Sequence, residues 1–159
     1  MAKTAEAARP VVRLTLDVQR ACKDKDLPGD TQLRRWARAA LEDIGGAHEL
    51  TVRMVDAAES AALNSQYRHK HGPTNVLSFP FEAPPGLVTR LLGDLVLCAD
   101  VVRREAREQG KPEQAHWAHM VVHGVLHLRG YDHLAPAEAA HMEALETEIL
   151  ARLGYPNPY

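Results

Sequence analysis

Two histidines four positions apart, followed by a glycine and a third histidine, constrain the fold of this 159-residue chain more than any other feature. His123 and His127 lie in a run with helical periodicity, and side chains at i and i+4 project from the same face of an α-helix. Gly130 follows, and glycine readily adopts the left-handed conformation that ends a helix. The pattern therefore predicts a helix that presents two imidazoles and a turn that brings His133 towards them.

This histidine pattern predicts a metal site. Zinc binds imidazole nitrogens at about 2.0–2.1 Å, and three protein ligands with one open position are typical of a catalytic zinc ion. His119 lies one turn before His123, so His119, His123 and His127 form a competing triad. Three ligands spread over about 12 Å of one straight helix do not converge on one ion. We therefore expect His119 and His116 to pack beside the ligands or to orient them.

Composition narrows the class of protein. The formal net charge is -2, which excludes a strongly basic nucleic-acid coat protein but leaves room for a local basic patch. The two cysteines, Cys22 and Cys98, form no C-x-x-C pair and no ladder of paired spacings, so neither a disulfide scaffold nor a thiolate zinc site is suggested. No secretory signal and no apolar run long enough for a membrane span is present, so a cytoplasmic protein is expected.

The order of periodic segments predicts one α+β domain over residues 11–159, preceded by a flexible tail over residues 1–10. Strands are predicted over residues 11–18, 49–56, 74–81 and 93–98. Helices are predicted over residues 31–44, 57–67, 101–109, 112–129 and 135–153. The expected architecture is a small four-stranded sheet, mostly antiparallel or mixed, packed against helices.

Three segments resemble the YbeY family of bacterial ribosome-maturation endoribonucleases. Residues 123–133 are similar to the family signature H-G-x-L-H-L-x-G-Y-D-H. Residues 63–80 resemble its LN-x-x-YR-x-K-D-x-PT-[DN]-VLSFP stretch, with His71 where many members carry an acidic residue. Residues 93–98 resemble its G-D-[IL]-x-[IL] strand, and the similarity extends over about residues 48–152.

The resemblance implies a metal-dependent endoribonuclease that acts on single-stranded RNA and has a metalloprotease-like α+β fold. It links the chain to maturation of the 3′ end of small-subunit (16S) ribosomal RNA and to ribosome quality control. It implies His123, His127 and His133 as zinc ligands and Arg68 as a catalytic cation. The small ribosomal subunit, one of its ribosomal proteins and an assembly GTPase are the implied partners.

Residue chemistry agrees with phosphodiester cleavage better than with proteolysis. Zinc peptidases of the H-E-x-x-H type carry a glutamate general base directly after the first ligand, and here that position is Gly124. A guanidinium such as Arg68 pairs two phosphate oxygens at once, and Lys70 adds to the same basic spot. Asp132 either orients a ligand imidazole or stabilises the turn. A peptidase-like hydrolase and a non-catalytic, zinc-stabilised assembly factor stay as alternatives.

Two points stay open at the level of sequence. The attacking nucleophile is either a water or the RNA 2′-hydroxyl, and the general base is unassigned. Further cations either extend an RNA-facing surface or belong to solvated, mixed-charge segments. These cations are Arg90, Arg103, Arg104, Arg107, Lys111 and Arg129.

Overall fold

The computed structural model of the protein describes residues 10–159, so the expected tail lies outside the described part except for Pro10. Its elements follow the predicted order β-α-β-α-β-β-α-α-α. They are β1 (Val12–Ala21), α1 (Asp30–Ala39), β2 (Gly46–Val55), α2 (Ala57–Arg68), β3 (Val76–Pro80), β4 (Leu91–Cys98), α3 (Ala99–Glu108), α4 (Glu113–Leu128) and α5 (Pro136–Arg152).

The four strands form one mixed sheet in the order β1-β2-β4-β3. β1 pairs with β2 in parallel, with α1 as the crossover, and β2 pairs with β4 in parallel, with α2 and β3 between them in the chain. Only β3 and β4 pair antiparallel. The prediction of a mixed sheet is therefore confirmed. The alternative of a mostly antiparallel sheet was wrong, because two of the three strand pairings are parallel. β3 is an edge strand that ends at Pro80, where a missing backbone N–H costs least.

The main core lies between one face of the sheet and helices α1, α4 and α5. Alternate residues of β2, including Leu50, Val52 and Met54, face this core and are buried. Trp36 of α1 and Trp117 of α4 fill the space opposite them. From His116 onwards α4 is buried on most sides, as expected for a helix with apolar residues all round, so His116 and His119 are buried and His123 and His127 are half-buried.

α2 lies on the other side of the sheet and delivers its last residue to the edge strand. Its N-cap is the predicted Asp56, whose carboxylate accepts a hydrogen bond of 2.9 Å from the Glu59 backbone N–H. The helix ends at Arg68, because His69 adopts the left-handed conformation with φ 57°. Arg68 is thereby held beside β3.

The helices end earlier in places than their apolar pattern predicts. α1 stops at Ala39 rather than near Ile44, since the Ala40 and Leu41 N–H groups bond to carbonyls three residues back and tighten the chain into a turn. Ile44 is consequently about half exposed instead of buried.

Within residues 10–159, none of the helices combines the length and apolar character needed to cross a bilayer.

Candidate metal centre

α4 places two of the predicted ligands against each other. The ring centroids of His123 and His127 are 4.6 Å apart, and their Nε2 atoms are 3.1 Å apart. Burial lowers the pKa of His127, and the nearby His123 and His133 lower it further. A lowered pKa keeps the imidazole neutral near pH 7, which is the form that offers a lone pair to a metal ion.

The turn after α4 brings the third predicted histidine to the same place. Gly130 has φ +100°, a conformation that an L side chain rarely adopts, and it reverses the chain at the end of the helix. The Oδ1 atom of Asp132 accepts a hydrogen bond of 2.7 Å from the His133 backbone N–H, so Asp132 stabilises the turn. The His133 ring centroid lies 5.1 Å from that of His127 and 5.6 Å from that of His123.

These three histidines fit a tetrahedral metal ion. One ring nitrogen from each of His123, His127 and His133 lies within 4.8 Å of the others. Bond lengths of about 2.0–2.1 Å at tetrahedral angles require nitrogens about 3.3 Å apart, close to the 3.1 Å observed between His123 and His127. His133 is exposed while the other two are half-buried, so one side of the group opens to solvent.

The turn that carries His133 is fixed to the rest of the domain. Arg129 donates two hydrogen bonds of 2.9 Å to the Asp43 carboxylate and one of 2.7 Å to the Ala40 carbonyl. Its guanidinium also lies 5.3 Å from the Tyr131 ring centroid, and that ring stacks on His141 at 5.6 Å. Arg129, considered above as part of an RNA-facing surface, therefore points into the domain and anchors the turn.

A cleft runs from the histidines to the end of α2. Its volume is about 720 Å³. Its lining includes the predicted site residues Arg68, Lys70, His123, His127, Asp132 and His133, together with Asn64, Thr74, Ser78 and Leu134. Residues that are 55 positions or more apart in sequence, such as Arg68 and His123, thus share one cavity.

Arg68 is held by the edge strand. Its Nη2 atom donates a hydrogen bond of 2.6 Å to the Ser78 carbonyl, and its guanidinium lies 5.8 Å from the Phe79 ring centroid. A guanidinium has five N–H donors in a fixed plane, so this bond orients the group without exhausting it. Arg68 is exposed in the cleft, which leaves it within reach of an anionic ligand.

Close packing of α4 against the sheet explains why position 124 is a glycine. A Cβ atom at this position would lie 2.7 Å from Cδ2 of Leu95, which is fully buried on β4. The position after the first histidine therefore faces the sheet rather than the cleft. A glutamate general base of the zinc-peptidase kind has no room there, which explains in structural terms the glycine seen in the sequence.

His116 and His119 bond to carboxylates rather than joining the three-histidine group. Nε2 of His116 is 2.8 Å from a Glu105 carboxylate oxygen, and Nε2 of His119 is 2.7 Å from Oε1 of Glu146. His119, His123 and Glu146 also lie close enough for a metal ion, but the short nitrogen–oxygen contacts among them are those of hydrogen bonds. His119 thus faces Glu146 and not the cleft.

Glu146 and Tyr159 are site residues that sequence reasoning missed. Glu146 of α5 is fully buried, and its Oε2 atom lies 2.7 Å from Nδ1 of His123. Burial alone would raise its pKa, but hydrogen bonds from His119 and His123 outweigh this and lower the pKa to about 2. The available signal was a glutamate within the apolar stripe of α5, between Met142 and Ile149.

Comparison with known proteins agrees with the fold and with the candidate metal site described above. Residues 18–154 match the family model described as Endoribonuclease YbeY. The solution structure of TM1509 from Thermotoga maritima superposes with a TM-score of 0.54 at 24% identity, covering 86% of this chain and 91% of that one. At this identity the likeness supports the fold alone, whereas the family match extends over most of the chain. The protein belongs to the YbeY family of metal-dependent endoribonucleases of ribosomal RNA maturation.

Proposed function

We propose that the chain binds one zinc ion through His123, His127 and His133 and hydrolyses single-stranded RNA with the aid of Arg68. In this proposal it matures the 3′ end of small-subunit ribosomal RNA and takes part in ribosome quality control in the cytoplasm. One observation carries the proposal: the three histidines and Arg68 line a single open cleft, although they come from separate elements.

The chemistry of the donor set supports zinc. Three neutral imidazoles without a thiolate or a carboxylate suit zinc among the common cellular metals, and three ligands leave a position open for catalysis. A bound zinc ion supplies Lewis acidity towards a phosphate oxygen or lowers the pKa of a bound water. His123 and His127 come from the rigid, buried α4, so two of the three donor positions are fixed before the metal binds.

The role proposed for Arg68 is to stabilise negative charge on the phosphate of the substrate. Cleavage of a phosphodiester places negative charge on the non-bridging oxygens, and a preorganised cation stabilises that charge. The bond to the Ser78 carbonyl orients the guanidinium, and the remaining N–H groups would be available to a phosphate bound in the cleft. Lys70, which also lines the cleft, adds a point charge for a neighbouring phosphate.

The cleft offers few carboxylates that could act as the general base of a zinc peptidase. Among the described residues that line it, Asp132 is the one carboxylate, and its Oδ1 atom accepts the His133 N–H. Gly124 faces Leu95 and offers no base. The family assignment agrees, because it places the chain among RNA hydrolases and not among peptidases or non-catalytic assembly factors.

RNA binding in this proposal is local and weak without a partner. The net charge of -2 gives no general attraction to phosphates, so affinity depends on Arg68, Lys70 and the metal. The precursor RNA on the small ribosomal subunit, a ribosomal protein there and an assembly GTPase are the proposed partners, and they would present the single strand to the cleft.

The test compares wild type with Arg68→Ala and His127→Ala in nuclease-free preparations. Metal content is measured by elemental analysis, and cleavage is measured on a single-stranded RNA and on a peptide library. We expect wild type to bind zinc and cleave RNA, His127→Ala to lose both, and Arg68→Ala to lose cleavage alone. Arg38→Ala, an exposed arginine on α1 outside the cleft, is the matched control. Intact RNA with zinc-loaded wild type would contradict the proposal.

A further inference from the structure

A buried carboxylate lies directly behind the proposed metal centre. Glu146 of α5 is fully buried, and its two oxygens contact three groups from different parts of the chain. Oε2 lies 2.7 Å from Nδ1 of His123, and Oε1 lies 2.7 Å from Nε2 of His119. The Tyr159 hydroxyl donates a short hydrogen bond to the same Oε1.

These contacts determine where the protons are. An ionised carboxylate only accepts hydrogen bonds, so each of the three contacting atoms carries a hydrogen. His123 is therefore protonated at Nδ1, and in the neutral ring its Nε2 atom bears the lone pair. That Nε2 atom is the one 3.1 Å from Nε2 of His127, on the side of the ring that faces the other proposed ligands.

We propose that Glu146 is the positioning residue of the metal centre: it holds His123 as the Nδ1–H tautomer, with Nε2 directed at the metal, and His119 and Tyr159 hold Glu146. The inference rests on the metal site proposed above. A carboxylate that accepts the second N–H of a ligand histidine fixes both the ring orientation and the basicity of the donor nitrogen.

The cost of burying Glu146 argues for this role. α5 packs against the core through Met142, Ile149 and Leu150, and an apolar residue at position 146 would continue that stripe without removing a charge from water. No Lys or Arg bonds to this carboxylate among the described residues; its partners are two histidines and a tyrosine. The buried negative charge of Glu146 is therefore compensated by hydrogen bonds from His119, His123 and Tyr159, the same groups whose protons the carboxylate holds in place.

The segment after α5 completes the arrangement. The Tyr155 N–H bonds to the Leu150 carbonyl at 2.8 Å, and Nζ of Lys111 donates a hydrogen bond of 2.6 Å to the Pro158 carbonyl. These bonds hold the segment against the domain, so the Tyr159 hydroxyl reaches Oε1 beside His119. Tyr159 and His119 thus share one oxygen, and the other oxygen is left to His123.

The first measurement needs no substitution. In metal-free protein at about pH 8, above the ordinary histidine pKa of about 6.5, 15N chemical shifts report the tautomer of each imidazole. We expect the Nδ1–H tautomer at His123 and the Nε2–H tautomer at His119. An Nε2–H tautomer at His123 would overturn the inference, and a misfolded variant cannot obscure this readout.

The second measurement is zinc affinity, determined by competition with a chromophoric chelator. In wild type His119 and His123 bond to different oxygens of Glu146, whereas the neutral amide of Glu146→Gln has only one acceptor atom, so we expect affinity to fall about 10–100-fold. Tyr159→Phe keeps the His123 contact and should lose less than about tenfold. Glu138→Gln, the same change at an exposed position of α5, is the matched control.

Each outcome decides a different point. Unchanged zinc affinity in Glu146→Gln, with wild type binding one ion, overturns the positioning role and leaves the metal site intact. A wild type that takes up no zinc overturns the metal site and this inference with it. A loss of affinity in Glu146→Gln that Glu138→Gln does not share, together with the Nδ1–H tautomer in wild type, supports the role.

Discussion

Arg68 donates a hydrogen bond of 2.6 Å from Nη2 to the backbone carbonyl of Ser78. The hydroxyl of Ser78 in turn donates to the Gly124 carbonyl of α4 at 3.3 Å. β3 therefore links the cation at the end of α2 to the helix that carries two of the proposed ligands. Relative placement of a cation and a metal is what phosphodiester cleavage demands, because both must reach the same phosphate.

Substitution of Arg68 should impair cleavage and spare metal binding. We expect Arg68→Ala to lower kcat/KM on a single-stranded RNA by about 10²–10³-fold, the usual effect of removing one preorganised donor to a transition state. Arg68→Lys keeps the charge but cannot bond the Ser78 carbonyl and two phosphate oxygens together, so it should recover only part of the loss. A lysine variant as active as wild type would show that charge alone suffices.

Removal of His133 should lower metal occupancy without unfolding the domain. His133 is exposed on the turn after α4, so its loss leaves no cavity in the core. We expect His133→Ala to lose most of its zinc after gel filtration, as measured by elemental analysis, while its circular dichroism is unchanged. His71→Ala removes another exposed histidine, outside the cleft lining, and serves as the control. Full occupancy in His133→Ala would favour His119 as the third ligand.

Gly93 should tolerate no side chain. It has φ +140°, and a Cβ atom would lie 2.2 Å from the Phe79 backbone oxygen, at the place where the register of β2 and β4 shifts. We expect Gly93→Ala to lower the free energy of unfolding by about 2–4 kcal/mol, as measured by urea denaturation. Gly29→Ala, with open space around the position, should cost less than about 1 kcal/mol. Equal effects of the two substitutions would contradict the backbone geometry.

The ion pair of Asp43 and Arg129 should make stability depend on pH in acid. Burial alone raises the pKa of Asp43, but hydrogen bonding and charge from Arg129 outweigh it and lower the pKa below its ordinary 3.8. A carboxyl with a lowered folded-state pKa stabilises the fold above its unfolded pKa and loses that contribution as pH falls through the folded value.

Urea denaturation of wild type and Asp43→Asn, with chelator present, measures this contribution. Because Asp43 is about half exposed, we expect wild type to be more stable by less than about 1 kcal/mol at neutral pH. The difference should shrink towards pH 3 as Asp43 becomes protonated. A difference that grows in acid would contradict the sign of the pKa shift.

The sequence predicted most of the fold that positions the site. Periodicity identified all nine described elements in order, and the spacing of His123, His127 and His133 indicated that they would meet. Both rest on local rules: helix periodicity, capping by Asp56 and chain reversal at Gly130. The direction of strand pairing was not predictable, because it depends on crossovers that local patterns do not encode.

The support behind the metal centre was also not predictable. Glu146 lies 23 residues after His123 and meets it only because α5 packs against α4. Tyr159 reaches the same carboxylate through an extended segment without periodicity. A glutamate among apolar neighbours indicates a buried partner but does not say which one, since tertiary packing chooses it.

The central claim is that one metal ion on three histidines, facing Arg68, cleaves RNA. The most direct measurement adds zinc stepwise to chelator-stripped protein and follows cleavage of a single-stranded RNA at each step. The account predicts that activity rises in proportion to zinc and reaches a plateau at one equivalent, and that His127→Ala gives no rise at all. Full activity of the stripped protein, or no activity at one equivalent, would contradict it.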